Sequence, residues 1–194
     1  MPDSASDLLR PMAASDADAV QRLWRRRFGG DAATQTNWIE AALAPNHSAT
    51  GTVAAPPTAD RVVAFGLLEI GDPAYTRRYL SLDAVGLDPS LASQNGIFHM
   101  YCVHPDWEGH GLGSALYTRH LRQLIDQEVP RAFGISWHRS HTVDSRALFE
   151  KHGFTCRATI ERYYDRFEER PHCPDCEEAC TCTASLYARW ISLG

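Results

Sequence analysis

The sequence predicts an α/β domain, on three observations. Two apolar, β-branched runs, Arg61–Ile70 and Ile97–Val103, have the composition of strands. A long segment of helical periodicity, Leu112–Glu128, follows the second run. Between that strand and that helix lies a junction with glycines at alternate positions, Gly109, Gly111 and Gly113. At 194 residues the chain matches one ordinary domain and can bury a sizeable core. With 44% hydrophobic and 22% charged residues it falls among globular rather than disordered sequences.

In order along the chain, Ser15 and Asp18 fit a Ser-x-x-acid cap for a helix. That helix carries Val20, Leu23 and Trp24 on one face and ends at Gly29–Gly30. A short second helix follows through Trp38, Ile39 and Leu43. Residues 46–60, rich in Ala, Pro, Thr and Gly, read as a loop holding at most one weak strand. After the Arg61–Ile70 strand, residues 71–96 mix Pro and Gly with apolar residues such as Leu80 and Leu82. A stretch of that length implies regular structure, of a type the pattern leaves open.

Ile97–Val103 is the second strand. In Leu112–Glu128, Tyr117, Leu121, Leu124 and Ile125 share one side, Arg119, Arg122, Gln123 and Asp126 the other, and Pro130 stops the helix. Ala132–Trp137 is a short strand, and Thr142–His152 a helix ended by Gly153. Phe154–Phe167 alternates as a strand with Phe154, Cys156, Ala158 and Ile160 on one face. Ala184–Ile191 is the last strand.

Composition narrows function. A formal charge of −5 leaves no basic footprint, which argues against nucleic acid as a partner. The amino terminus lacks a cationic start followed by an apolar run, and no stretch approaches the ~18 apolar residues of a membrane span. The expectation is a cytoplasmic protein without a membrane partner, in a compartment where disulfides are rare. A homodimer is compatible with this composition.

The densest motif is Val103-His104-Pro105-Asp106-Trp107-Glu108-Gly109-His110-Gly111-Leu112-Gly113. Glycines let backbone N–H groups approach a ligand, and helix N-terminal amides attract anions, so the junction suits a pyrophosphate. Spacing alone fits a ligand-free turn equally well. The G-x-G-x-G spacing, late in the chain, departs from the dinucleotide-binding G-x-G-x-x-G, and the Gly-Lys-Ser/Thr of a phosphate-binding P-loop is absent.

The segment VHPDWEGHGLGSAL resembles the signature of the GNAT superfamily of N-acetyltransferases, through Val103, Pro105, Gly109, Gly111, Leu112, Gly113 and Leu116. Downstream, SRALFEKHGF is similar to the same family's second helix end, through Leu148, Phe149, Gly153 and Phe154. The resemblance covers nearly all the chain except a cysteine-rich stretch. It implies a mixed, mostly antiparallel twisted sheet flanked by helices on both faces. Further implications are acetyl-CoA as co-substrate and direct attack by a primary amine, with a small-molecule acceptor expected. On this resemblance Tyr101, Cys102 and Val103 pair with the pantetheine, and an amide of Tyr101 or Cys102 faces the thioester oxygen. Glu108, Gly109, His110, Gly111, Leu112, Gly113 and Ser114 line the pyrophosphate. Glu108 stands where the family has Arg or Gln, so its carboxylate must turn away from that ligand. Phe149 occupies a cofactor-contacting position where many members carry a proton-donating Tyr; the thiolate is then protonated from water or by another residue, for which Tyr163 and Tyr164 are the candidates.

For the base, His99 leads. Strand alternation puts His99, Tyr101 and Val103 on one face, and an imidazole of pKa about 6.5 suits proton removal near neutrality. The competing role is a buried, hydrogen-bonded structural histidine. Glu69 is the second candidate and Asp165 a weaker one, while His104, His110 and His138 are expected at the surface. Apolar flanks favour an inert, buried thiol at Cys102 over a nucleophile.

Finally, His172-Cys173-Pro174-Asp175-Cys176 and Cys180-Thr181-Cys182 form a C-x2-C-x3-C-x-C cluster. Cys173, Cys176, Cys180 and Cys182 could hold a structural Zn²⁺, with His172 able to replace one thiolate; a disulfide, or neither, is the alternative. The organisation expected is one domain over 1–194, with 168–184 a cysteine-rich insertion. A non-catalytic CoA-binding or metal-sensing module on the same fold is the competing function.

Overall fold

A computed structural model describes residues 4–45, 48–57, 59, 61–139, 145–164, 176 and 180–192. The chain forms two compact units, Met1–Glu69 with His99–Arg122, and Ile70–Phe98 with Gln123–Gly194. Seven strands take the order β1-β2-β3-β4-β5-β7-β6. The pairs β1–β2, β2–β3, β5–β7 and β6–β7 are antiparallel, and β4–β5 is parallel.

The first unit holds β1 (Leu9–Pro11), α1 (Ala17–Phe28), α2 (Ala32–Leu43), β2 (Ala49–Ala54) and nearly all of β3 (Ala64–Gly71). It also holds β4 (Asn95–Val103) from His99 onward, and α4 (Leu112–Asp126) to Arg122. Helix α1 buries Val20, Leu23 and Trp24 as its periodicity requires, and Gly29 ends it at φ 63°. Its entry differs from the expected Ser15–Asp18 cap. Asp16 instead accepts from the Ala13 amide at 2.8 Å and holds the Arg10 guanidinium at 2.6 and 2.7 Å. Asp31 caps α2, its carboxylate accepting from the Ala33 and Thr34 amides at 2.8 and 3.1 Å.

Residues 46–60 hold not a weak strand but β2, paired on one side with β1 and on the other with β3. Its Ala and Gly are poor strand formers, but Thr50, Thr52 and Val53 favour a strand and pairing on both edges overrides the rest. A Cβ on Gly51 would lie 2.8 Å from Met12 Cε, so this close packing needs the glycine. β3 starts at Ala64, not Arg61. Its Phe65 and Leu67 join the cluster with Val20, Leu23, Trp24 and Ile39 of α1 and α2. Ala64, on the opposite face, packs with Leu112 and Leu116 of α4. Helices therefore cover both faces of this part of the sheet.

The second unit resolves residues 71–96. Asp72 caps α3 (Pro73–Tyr79), accepting from the Tyr75 amide at 2.6 Å, and Pro73 occupies the first turn, where its missing N–H costs nothing. Leu80 and Leu82 then enter a core with Phe133, Leu186 and Ala188. β4 begins at Asn95 and pairs with β5 (Arg131–Trp137) over Asn95–Phe98. α5 (Arg146–Lys151) ends before Gly153 at φ 73°; the expected start at Thr142 lies outside the described residues. β6 is only Thr155–Ile160, and a register shift between Cys156 and Ala158 breaks the expected alternation. Phe154 is buried while Cys156 is exposed. The expected end at Phe167 also lies outside the described residues. β7 (Ala184–Trp190) closes the sheet between β5 and β6. No helix among the described residues is long and apolar enough to cross a membrane.

Candidate functional site

Within the first unit, the end of β4 carries the candidate residues. Its side chains do not alternate simply. His99 lies against the rings of Trp38 and Trp24, with centroids at 3.5 and 6.5 Å, on the α1–α2 side. Met100 and Cys102 pack into that same cluster, whereas Tyr101 meets Tyr117 and His120 of α4, with centroids at 4.5 and 5.5 Å. His99 and Tyr101 thus lie on opposite faces, correcting the shared face expected from alternation. Period two holds only while successive residues keep strand geometry, and it breaks between His99 and Tyr101. Glu69 lies two residues beyond Leu67 on β3, hence on the α1–α2 face as well. It is 5% exposed and accepts from Ser48 Oγ at 3.1 Å.

Tyr101 Oη is hydrogen-bonded to His120 Nδ1, and His120 Nε2 to Thr52 Oγ1 at 2.9 Å. A neutral imidazole donates from one nitrogen and accepts at the other, so these two bonds satisfy the ring in either tautomer. Burial drives the His120 pKa down to about 3, with Arg119 adding to the shift. Burial also holds the Tyr101 phenol well above its ordinary value. The assembly depends on Gly66, whose Cβ would lie 2.7 Å from Tyr101 Cε1. His120 and Thr52 escaped sequence reasoning, because a histidine on a helix flank and a threonine in an apparent loop carry no pattern linking them. Cys102 Sγ faces the Leu23 carbonyl at 3.8 Å, and burial pushes its thiol up to about 12, the state of an inert thiol.

Beyond Val103 the chain turns over Pro105–Trp107. His104, expected at the surface, is buried: its Nδ1 accepts from the Asp106 amide at 3.3 Å, and burial lowers its pKa. Three arginines approach this turn. Arg26 lies 3.4 Å from His104 Nε2, Arg61 3.9 Å from Asp106, and Arg27 donates to Glu108 Oε1 at 2.5 Å. The Arg27 contact draws the Glu108 carboxylate toward the end of α1. His110 turns back on its own loop, Nδ1 lying 2.9 Å from the Glu108 carbonyl.

Gly109 and Gly111 adopt φ of 77° and 80°, where side chains are disfavoured. Among the described residues, a Cβ at Gly109 would meet nothing within 4 Å, and one at Gly111 only Ala5 Cβ at 3.7 Å. The space beside both glycines is therefore open, and a ligand could approach their backbone amides without meeting a side chain there. Gly113 lies inside α4 and has no such conformational need. The first hydrogen bond of α4 runs from the Ala115 amide to the Gly111 carbonyl at 2.9 Å. Amides preceding it stand at the positive end of the helix dipole, a geometry suited to phosphate oxygens.

In the second unit, Phe149 is 1% exposed and stacks on Tyr187, with centroids 4.9 Å apart and planes at 7°. A Cβ on Gly134 would lie 2.3 Å from its ring. Phe149 is thus a packing residue, which takes it out of the surface open to a ligand. Tyr163 is fully buried and donates to the Leu80 carbonyl at 3.1 Å, a structural commitment that removes it as a substitute acid. Tyr164, half-buried, packs against Trp137 with ring centroids 5.2 Å apart. The sulfur atoms of Cys176, Cys180 and Cys182 converge within 4.8 Å; Cys173, His172 and Asp165 lie outside the described residues.

The sequence profile of the Acetyltransferase (GNAT) family matches residues 17–154. A search of curated proteins finds no match. Among solved structures, Arabidopsis thaliana NAA60 in complex with acetyl-CoA is similar at TM-score 0.69 and 12% identity, covering 94% of this chain and 97% of that one. Chaetomium thermophilum Naa20 with a bisubstrate analogue is similar at TM-score 0.69 and 12% identity, covering 95% and 87%. The ribosomal-protein-S18-alanine N-acetyltransferase of Escherichia coli gives TM-score 0.63 and 16% identity over 96% and 94%. At these identities the likeness is one of fold.

Proposed function

This chain belongs to the GNAT family of acetyltransferases, and on that premise we propose that it moves the acetyl group of acetyl-CoA to the primary amine of a small molecule. The observation that carries this reading is the cradle at Gly109 and Gly111, with its left-handed backbone and open Cβ positions at the start of α4. The cradle fits a pyrophosphate, which Gly109 to Ser114 would bind through backbone amides, with Glu108 drawn aside by Arg27. Tyr101, Cys102 and Val103 would present strand amides to the pantetheine. Phe149 is left out of this set because its ring is buried.

The chemistry assigned to the chain's own residues is short. His99, held between Trp24 and Trp38, takes the proton from the attacking amine; Glu69, on the same sheet face, is the second candidate. A backbone amide of Tyr101 or Cys102 donates to the oxygen on which charge develops as nitrogen bonds to the thioester carbon. The C–S bond then breaks, and the thiolate takes a proton from water. Tyr101 acts through its backbone, its phenol being engaged with His120. The zinc expected on the cysteine cluster is structural in this reading and takes no part in transfer.

The test is an acceptor panel of small aliphatic and aryl amines and short peptides, read by mass spectrometry so that the protein's own thiols do not interfere. Acetylated small amine, falling at least about 100-fold in a His99→Ala variant, is the expected result, in line with the usual contribution of a general base. Acetylation of peptides alone would overturn the small-molecule acceptor. Full activity in the variant would remove His99 as base.

A further inference from the structure

Residues 161–183 leave β6 at Ile160 and return to β7 at Ala184, and these two residues are paired across the strands. A long connection between paired strand ends needs something of its own to hold it. Two backbone contacts fasten its return end: the Tyr163 amide donates to the Cys182 carbonyl at 3.3 Å, and the His138 amide to the Thr183 carbonyl at 2.9 Å. Tyr163 is in turn anchored to the Leu80 carbonyl. At this fastened end three thiols converge.

The spacing of those thiols is informative. Cys176 Sγ and Cys182 Sγ lie 3.7 Å apart, and all three sulfur atoms are within 4.8 Å of one another. A disulfide brings two sulfurs to about 2.05 Å and leaves a third with no role. Thiolates about 2.3 Å from a tetrahedral zinc ion stand about 3.8 Å from each other, and three can share the ion. Cys180 is nearly buried and Cys176 and Cys182 half-buried, so the sulfurs are partly withdrawn from water. A metal ion bound among them would be shared by sulfur ligands on both sides of the cluster.

We propose that Cys176, Cys180 and Cys182 bind a structural Zn²⁺ that staples the β6–β7 connection. Zinc displaces the thiol protons as it binds, so each ligating sulfur is a thiolate in the loaded protein. The proposal stands on these three sulfur atoms. It rests on sulfur positions in the second unit, independent of acetyl transfer, and is tested apart from it.

The experiment uses the full chain purified under reducing conditions without chelator. Elemental analysis is expected to give about one zinc per chain, and a strong chelator to lower the melting temperature, restored by Zn²⁺ but not Mg²⁺. Cys180→Ser is expected to lose the metal, whereas Cys156→Ser, at an exposed thiol on β6, retains it. Should Cys180→Ser fail to fold, Co²⁺ exchanged into the unaltered protein serves instead, and intense thiolate-to-cobalt charge-transfer absorption is expected. Less than about 0.3 zinc per chain after zinc supplementation, absence of that absorption, or a Cys176–Cys182 disulfide in the freshly purified protein would each overturn the proposal. The acetyl-CoA-induced melting shift, measured on the same sample, reports separately on the transferase reading.

Discussion

Two residues that look unpromising in one dimension set the character of the site. Glu108 puts a carboxylate in a loop suited to an anionic ligand, and Arg27 resolves the conflict by holding it at 2.5 Å. His120 is the second: sealed beneath the sheet, it bonds Tyr101 and Thr52 as a neutral ring. Its folded pKa of about 3 lies below the ordinary value of 6.5. Below pH 6.5 the unfolded chain therefore binds a proton that the folded chain refuses, and stability falls as pH falls toward 3. The loss grows by up to about 1.4 kcal/mol per pH unit, or roughly 2 kcal/mol at pH 5. Urea denaturation from pH 7 to 5 is expected to show this loss, and a His120→Gln variant, which can still donate and accept, to show less of it. Parallel curves for the two proteins would refute the assignment. Burial of His104 and His152 also lowers their pKa values, so the difference between the proteins is the diagnostic quantity.

At the level of elements, packing against a missing Cβ recurs. Gly66 makes room for Tyr101 and Gly134 for Phe149. In the second case the ring cannot retreat, because Tyr187 stacks on it and Phe154 meets it edge-on at 5.1 Å. Gly134→Ala is expected to destabilise the protein by about 1–3 kcal/mol, the usual range for overpacking, seen as a lower melting temperature. Adding Phe149→Leu should recover part of that loss, since the two residues are coupled. Additive losses would show that the clash is relieved elsewhere. The same contact gives the phenylalanine of the second motif a packing role, its ring held between Gly134 and Tyr187.

For the whole molecule, ligand binding and stability are linked. A ligand that binds only the folded chain stabilises it by about 2.7 kcal/mol at 100 times its Kd. Acetyl-CoA at millimolar concentration is expected to raise the melting temperature. Gly111→Glu, which forces a side chain into φ 80° and adds negative charge to the cradle, is expected to abolish the shift. An unchanged melting temperature for the unaltered protein would remove the co-substrate from the proposal. A shift without acetyl transfer to any acceptor would favour a CoA-binding module over an active transferase.

The family and the glycine cradle were legible from residues 97–154, because strand, turn and helix there are built from neighbours in sequence. Periodicity likewise identified the buried face of α1, and Gly153 the end of α5. Other elements escaped for physical reasons. β2 is made of small residues that become a strand only by pairing with β1 and β3. α3 is one short helix begun by Asp72 and Pro73 in a stretch dominated by turn residues. The faces of β4 were misread because alternation assumes regular strand geometry, which breaks between His99 and Tyr101. What the sequence determined by itself was the local chemistry of the turn: glycines where φ must be positive, and amides at a helix start. Tertiary structure alone decided which side chains meet. Arg27 on Glu108, His120 between Tyr101 and Thr52, and Phe149 beneath Gly134 join residues distant along the chain, and no local pattern encodes those contacts.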